Sequence, residues 1–453
     1  MTTTSESAPA QRRTAFGAMT AVFDGLVRRY LPDPFVIVLV LTVIVFGCGL
    51  AFTDSGPVEL VNAWGQGFWD LLKFAMQMML VLVTGYVLAS TPIFKRLLGR
   101  IARLASTPGQ AILLVTVVAL AASWVNWGFG LVIGALFARQ LAQEVGDVDY
   151  RLLIASAYSG FVVWHGGLSG SVPLTAATSG NFLEEEIGLI PASETIFAPF
   201  NLIIVAALFV VIPLVNRAML GHGGDTVMAR DIDFGEDDEA AEDEAATPAE
   251  RLERSRVVSI AVGVLGLGYV AAYAWETGYK LNLDILNFTF LFLGILLHGT
   301  PRRFLDCLAD AIKGVGGILI QFPFYAGIMG IMVGSGMAAS LTEWFVSIAT
   351  EATLPVIAFL SAGFVNVLVP SGGGQWAVQG PVMMPAAMEL GADKARIAMA
   401  VAWGDAWTNL IQPFWALPAL AIAGLNARDI MGFCLVTLIV TGVLICLGLV
   451  YLP

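Results

Sequence analysis

Phe364-Val365-Asn366-Val367-Leu368-Val369-Pro370-Ser371-Gly372-Gly373-Gly374-Gln375-Trp376 interrupts an apolar stretch that runs from residue 354 to 390. Proline lacks the amide that a helix needs, and three successive glycines weaken any helix that contains them. The stretch is too long for one membrane crossing, and its arms, of about fifteen residues each, fall short of the ~20 that a ~30 Å hydrocarbon core requires. The reading that reconciles these facts is a re-entrant helical hairpin. Its non-helical tip would sit at membrane depth, which is allowed only where protein or a water-filled cavity surrounds it. A second long apolar stretch, 109–145, is broken in the same manner at Asn126-Trp127-Gly128-Phe129-Gly130.

Composition agrees with a membrane setting. Of 453 residues, 57% are apolar and 13% charged, with a mean hydropathy of +0.80; a soluble chain would carry about a quarter charged residues. Spans of ~20 apolar residues fall near 34–53, 69–92, 150–180, 196–220, 256–276, 284–300, 315–336, 394–423 and 429–452. The expected fold is therefore an all-α polytopic membrane protein, with about nine transmembrane helices plus the two hairpins. The net charge of −12 says little about a substrate, because residues 221–250 hold eleven acids and one base; removing that −10 leaves −2. Such a run reads as a solvated cytoplasmic loop, 221–254, and nucleic acid is excluded as a partner. Cys48, Cys307, Cys434 and Cys446 lack metal-ligand spacing, and His165, His222 and His298 are far apart, so neither a structural metal nor a disulfide framework is expected. The first apolar run is too long for a signal h-region, so no cleaved targeting segment is expected.

Basic residues test the layout, since they concentrate on the cytoplasmic side. With the N-terminus inside, 19 of 23 Lys and Arg fall there, leaving Lys73, Lys280, Lys394 and Arg396 outside. The first hairpin then enters from the cytoplasm and the second from outside, which calls for an inverted repeat. One is legible. Glu144-Val145-Gly146 with Arg151, Ala155, Ala157, Tyr158 and Pro173 recurs at an offset of 245 as Glu389-Leu390-Gly391 with Arg396, Ala400, Ala402, Trp403 and Pro418. Trp124-Val125-Asn126 matches Phe364-Val365-Asn366 at 240, and Gln77 matches Gln321 at 244. The chain divides accordingly into a cytoplasmic tail with an interfacial helix (1–30), a first repeat (31–220), the acidic loop (221–254), a linking span (255–280) and a second repeat (281–453).

Paired broken helices in inverted repeats are the architecture of secondary transporters, whose half-helix ends place fixed dipoles at the bilayer midplane. Function should concentrate at the two hairpin tips and at two broken spans, Trp164-His165-Gly166-Gly167-Leu168-Ser169-Gly170-Ser171-Val172-Pro173 and Gly404-Asp405-Ala406-Trp407-Thr408-Asn409-Leu410-Ile411-Gln412-Pro413. Asn126 and Asn366 read either as N-caps of the returning arms or as ligands of an ion or substrate. Ser371, Gly372, Gly373 and Gly374 offer a hydroxyl and free amides suited to a carboxylate, with Trp127, Gly128, Ser169, Ser171, Gln375, Trp376, Asn409 and Gln412 as further substrate-binding candidates. Asp405, an ionisable group inside a span, is a candidate for binding sodium or relaying a proton, with capping as the alternative. His165 is either a satisfied polar residue or a proton carrier. Trp124, Trp127, Trp164, Trp376, Trp403, Trp407 and Trp415 gather at these motifs, as packing residues or as an apolar wall for a short acyl tail. No Arg or Lys lies near the four breaks, so a carboxylate would be recognised by amides, hydroxyls and a co-bound cation.

At these sites the chain resembles the bacterial short-chain fatty acid transporter family, which includes the acetoacetate and butyrate uptake protein. The resemblance covers nearly the whole chain. It is carried by Leu31-Pro32-Asp33-Pro34, Trp64-Gly65-x-Gly67-Phe68-Trp69, Asn126-Trp127-Gly128-Phe129-Gly130-Leu131-Val132, Gln321-Phe322-Pro323-Phe324-Tyr325-Ala326-Gly327-Ile328, Val369-Pro370-Ser371-Gly372-Gly373-Gly374, and Gln412-Pro413-Phe414-Trp415 through Gly424. Where family members often have a small residue after the tryptophan matched by Trp164, the chain has His165. The resemblance implies an elevator mechanism, in which a mobile hairpin domain crosses the membrane against a fixed scaffold. The expected function is uptake of short-chain monocarboxylates across the cytoplasmic membrane, driven by sodium or protons without any other cofactor, in a homodimer. A dicarboxylate, amino-acid or sodium/proton transporter of the same architecture is the first alternative. An intramembrane enzyme or sensory scaffold is the second, disfavoured because its two strongest residues, Asp405 and His165, lie in different halves.

Overall fold

The computed structural model describes residues 34–221, 226–232, 247–278, 280–313, 315–368 and 371–453. The expected N-terminal tail and interfacial helix at 1–30, much of the acidic loop, and Val369 and Pro370 of the second break lie outside these residues. Among the described residues the chain is all helical. In the first half run α1 (Pro34–Phe52), α2 (Pro57–Gly67), α3 (Leu72–Ala89), α4 (Pro92–Ala102), α5 (Pro108–Val125), α6 (Trp127–Glu144), α7 (Tyr150–Ser159), α8 (Ser171–Ala177), the short α9 (Glu184–Ile187) and α10 (Pro199–Ala218). Next come α11 (Pro248–Glu253) and α12 (Arg256–Thr277). The second half holds α13 (Leu283–His298), α14 (Pro301–Ile312), α15 (Gly316–Gly334), α16 (Met337–Ile348), α17 (Leu354–Leu368), α18 (Gly372–Leu390), α19 (Lys394–Thr408), α20 (Pro413–Ala423) and α21 (Ala427–Tyr451).

Both hairpins begin and turn on recognisable signals. Thr107 caps α5 with Pro108 at its first position, and α5 ends at Asn126, whose backbone is extended (φ −156°, ψ 128°). The same asparagine caps α6, accepting the Phe129 N–H on Oδ1 at 2.9 Å, so a single residue makes the turn. In the second hairpin the cap moves to Ser371, which accepts the Gly374 N–H at 3.3 Å. Asn366, the repeat partner of Asn126, lies instead inside α17, because the second tip is the longer one. The arms are 18, 18, 15 and 19 residues long. Only α17 is as short as the sequence reading assumed. Tight capping leaves few residues in the turns and returns them to the helices.

Seven helices among the described residues are long and apolar enough to cross a membrane: Phe35–Phe52, Leu72–Ala89, Pro108–Val125, Tyr150–Ala177, Pro199–Ala218, Pro248–Thr277 and Ala427–Tyr451. Six coincide with expected spans and one is an arm of the first hairpin. The spans expected at 284–300 and 315–336 appear as shorter apolar helices. The one at 394–423 is split by a 3-10 turn, Asn409–Ile411, and forms no continuous long helix. The span reading also passed over α2, α4, α14 and α16, four helices of 11 to 12 residues that each follow a longer helix. They are too short and too polar on one side to register in a search for twenty apolar residues. In α4, Lys95, Arg96 and Arg100 line a helix that buries Leu98 and Ala102.

The element order of the two halves recurs, and so does its packing. Helix α15 packs on α1 and α2, while its counterpart α3 packs on α13 and α14, so each half embraces the other's central helix. Likewise α3 packs on α6 and α15 on α18. Helix α12 packs chiefly on α13, as a linker would. In the apolar 18-residue stretch of the broken segment Tyr150–Ala177, 94% of residues are buried against 17% in Phe35–Phe52, which places the breaks at the centre of the protein. Close approach at that centre depends on Gly404, where a Cβ would lie 2.2 Å from the Phe359 carbonyl oxygen of α17.

Candidate functional site

All four breaks converge on one cleft. Trp127 reaches it from the first hairpin, Ser371, Gly372 and Gly373 from the second, Ser171 from the first broken segment and Trp415 from α20; Met78 of α3, Trp164, and Gln321 and Phe322 of α15 complete the lining. Sequence reasoning had not named Met78, Gln321 and Phe322 as site residues. The recurrence of Gln77 at Gln321 was the signal that could have found the last two.

The glycine triplet is fixed by three neighbours. A Cβ on Gly372 would lie 2.4 Å from His165 Nε2, one on Gly373 2.5 Å from Phe74 Cε1, and one on Gly374 2.6 Å from Tyr325 Cδ2. The space beside these glycines is thus filled by side chains of α3, α15 and the first broken segment. Close packing demands the glycines here, while the amides of Gly372 and Gly373 stay at the N-terminus of α18, where orphan N–H groups favour an anion.

Trp127, Trp164 and Trp415 form one wall. Ring centroids are 5.6 Å apart for Trp127 and Trp164 and 5.4 Å for Trp127 and Trp415, both near edge-to-face. The indole N–H groups of Trp127 and Trp164 are buried without a protein acceptor among the described residues. Two unpaired donors on rings that line the cleft are costly unless something accepts from them. The other tryptophans of the sequence list sit elsewhere. Trp124 Nε1 donates to the Gly166 carbonyl, Trp403 Nε1 to Asn201 Oδ1 and Trp407 Nε1 to the Leu438 carbonyl, and Trp376 is buried in packing.

Behind Gly372 lies a fully buried ion-pair candidate. His165 Nε2 and Asp405 Oδ2 are 3.0 Å apart, both side chains wholly inaccessible, and Asn409 Nδ2 donates to the same carboxylate oxygen at 3.1 Å. His165 Nδ1 and Asp405 Oδ1 have no partner among the described residues. The separation in sequence that counted against an enzymatic pair is therefore closed by the fold. Among the described residues no cluster of three His, Cys, Asp or Glu side chains could hold a metal.

Most remaining candidates hold the breaks in place. Asn366 Nδ2 donates toward the Asp405 carbonyl (3.0 Å), Thr408 Oγ1 (2.9 Å) and Asn409 Oδ1 (2.7 Å), while its own Oδ1 is buried and unpartnered among the described residues. Gln412 Nε2 donates to the Asn366 carbonyl at 2.9 Å, tying α17 to the 3-10 turn. Ser169 Oγ accepts the Trp127 N–H at 2.9 Å, tying the first tip to the first broken segment. Gln375 Nε2 donates to the Ala362 carbonyl across the second hairpin, and Gly128 faces Leu82. The two broken segments are themselves cross-linked where Tyr158 Oη donates to the Asn409 carbonyl at 2.5 Å.

Comparison with known proteins agrees with this architecture. The family described as "Short chain fatty acid transporter" matches residues 15–452. A protein of Escherichia coli (strain K12) is 46% identical over 439 residues, covering 96% of this chain and 99% of its own length. One of Haemophilus influenzae is 44% identical over 439 residues, covering 94% and 97%. Both carry the name "Putative short-chain fatty acid transporter". Among solved structures, the Alcanivorax borkumensis YdaH transporter superposes with a TM-score of 0.58 at 14% identity, covering 92% of this chain and 98% of its own. Neisseria gonorrhoeae MtrF, described with a class of antimetabolite efflux pumps, gives 0.51 at 16%, covering 95% and 97%. These two likenesses concern the fold alone. On the match across nearly its whole length and on two relatives above 40% identity, the chain belongs to the short-chain fatty acid transporter family.

Proposed function

We propose that the protein takes up short-chain monocarboxylates, of the acetate, butyrate and acetoacetate class, across the cytoplasmic membrane by cation-coupled secondary transport. The observation that carries this is the cleft itself. Helix N-terminal amides at Ser371 to Gly373 and the side chain of Ser171 meet beside a wall of Trp127, Trp164 and Trp415, two of whose indole N–H groups are buried without a partner, with no Arg or Lys in the lining among the described residues. Such a set suits one carboxylate and a short apolar tail, and offers no cation for a second carboxylate. His165 and Asp405, directly behind Gly372, are the coupling site for sodium or a proton, with Asn126 and Asn366 fixing the tips around it.

In this reading α5–α6 and α17–α18 are re-entrant hairpins of an inverted repeat, entering from opposite sides with the N-terminus inside. The hairpins, broken segments, α10 and α21 form the moving part of an elevator. Helices α1 to α3 and α13 to α15, which embrace one another, form the scaffold and the homodimer. Proteoliposomes test the proposal. Labelled butyrate should accumulate above its equilibrium level when an inward sodium or proton gradient is imposed separately, and whichever ion drives it is the coupling ion. No accumulation with either gradient would overturn the reading.

A further inference from the structure

The same two helices that reach the cleft, α3 and α8, also border a second cavity. Lys73, Phe74 and Gln77 line it from α3, Thr175 from α8, and Asn181 and Phe182 from the segment that follows. Met78 of α3 and Ser171 beside Thr175 line the cleft, so the two spaces are successive stations along one pair of helices. Phe74 lies between them. Its ring is 6.1 Å from Phe182, which lines the second cavity, and 5.6 Å from Phe322, which lines the cleft; it also fills the place a Cβ on Gly373 would take. The second cavity reaches the surface beside Gly180, Asn181 and Phe182, which also border an open depression.

Charge gives this cavity a direction. Among the described residues Lys73 is the one cation in its lining; the side chain is exposed and no ion pair engages it there. A Cβ on Gly180 would lie 3.8 Å from its Nζ, which puts the ammonium at the cavity mouth. Two nearby carboxylates, Glu184 and Asp284, are held by neutral donors and keep their charge, and Glu185 beside the depression pairs with no cation among the described residues. Glu184 accepts from the Gly180 N–H and from Ser179 Oγ, and Asp284 accepts from Gln77 Nε2 at 2.6 Å. Asp70 shares the rim without pairing to Lys73. A solvent-exposed ammonium at a cavity mouth draws anions only weakly and in a salt-dependent way.

We propose that this cavity is a waiting site for the carboxylate substrate, with Lys73 as its anion-binding group and Phe74 as the gate that separates it from the Ser371 to Gly373 tip. The proposal rests on the transport reading and on Lys73 facing outward. The cleft has no Arg or Lys in its lining among the described residues, so an anion would be gathered at Lys73 and handed to neutral donors beyond Phe74. An aromatic ring packed edge-on against two others can swing aside without leaving a polar group unpaired.

Initial rates of labelled butyrate uptake in proteoliposomes, measured over substrate concentration, test it. Lys73→Gln should raise the half-saturating concentration about two- to fivefold, the scale of one exposed charge, with the maximal rate nearly unchanged. Lys73→Arg should restore it, and added salt should weaken half-saturation in the wild type but not in Lys73→Gln. In a background with the four native cysteines replaced, Phe74→Ala should speed reaction of Gln321→Cys with an external membrane-impermeant thiol reagent. Unchanged half-saturation in Lys73→Gln overturns the waiting site, and a lowered one marks the cavity as a path for the coupling cation instead. Unchanged labelling in Phe74→Ala overturns the gate. A wild type that accumulates no butyrate overturns the transport reading and this inference with it, whereas normal wild-type uptake with an indifferent Lys73→Gln overturns the waiting site alone.

Discussion

His165 Nε2 and Asp405 Oδ2 stand 3.0 Å apart at the centre of the protein, although one comes from the broken segment of the first half and the other from that of the second. Neither group touches solvent. Buried ionisable side chains persist only when paired, so each half supplies what the other needs. The pair backs directly onto Gly372, which puts a protonatable or cation-binding group in contact with the proposed carboxylate tip.

Asp405→Asn should keep the hydrogen bonds to His165 and Asn409 while removing the charge. Gradient-driven accumulation of butyrate is expected to vanish, and exchange of internal for external butyrate to survive at least in part. Accumulation at the wild-type level would make Asp405 a structural residue and move coupling elsewhere.

Stability gives a separate reading of the pair. His165→Ala leaves a buried carboxylate with only Asn409, and should cost about 3–5 kcal/mol if Asp405 stays ionised. The double change His165→Ala with Asp405→Ala should be less damaging than the sum of the single changes. Thermal unfolding in detergent measures all three; strict additivity would mean that the two groups do not interact.

Ser371 caps α18 and edges the cleft, so Ser371→Ala should act twice. Losing the cap should cost about 1 kcal/mol of stability, and butyrate binding should weaken roughly ten- to a hundredfold, at 1.4 kcal/mol per decade. Gly373→Val should abolish binding, since the new side chain must displace Phe74, while the protein still inserts and purifies folded. Calorimetric titration decides both, and unchanged affinity in Gly373→Val would make the tip a hinge and not a binding surface.

Glu144 and Glu389 occupy matched repeat positions at the ends of the two hairpins and are both exposed. With the native cysteines replaced, an impermeant thiol reagent added from outside should label Glu389→Cys and miss Glu144→Cys in right-side-out vesicles. Labelling of both from one side would remove the inverted repeat.

The amino-acid sequence by itself determined where the helices break. Proline, glycine runs and an asparagine or serine cap act within a few residues, so the breaks at Asn126, at Ser371, between Gly166 and Ser171 and at Asn409 could be read locally, as could the all-helical membrane class and the family. It overlooked α2, α4, α14 and α16, whose apolar faces are too narrow to stand out in a search for long spans. Tertiary structure alone decided what the breaks face. The distance from His165 to Asp405 depends on how two halves interlock across 240 residues, and no local rule encodes it. The same holds for the glycine triplet, where packing against His165, Phe74 and Tyr325 constrains each position separately, and for Asn366, whose repeat position suggested a cap but whose amide instead clamps α17 to α19. A sequence pattern specifies which backbone groups are freed; only the packed chain specifies which side chains arrive to meet them.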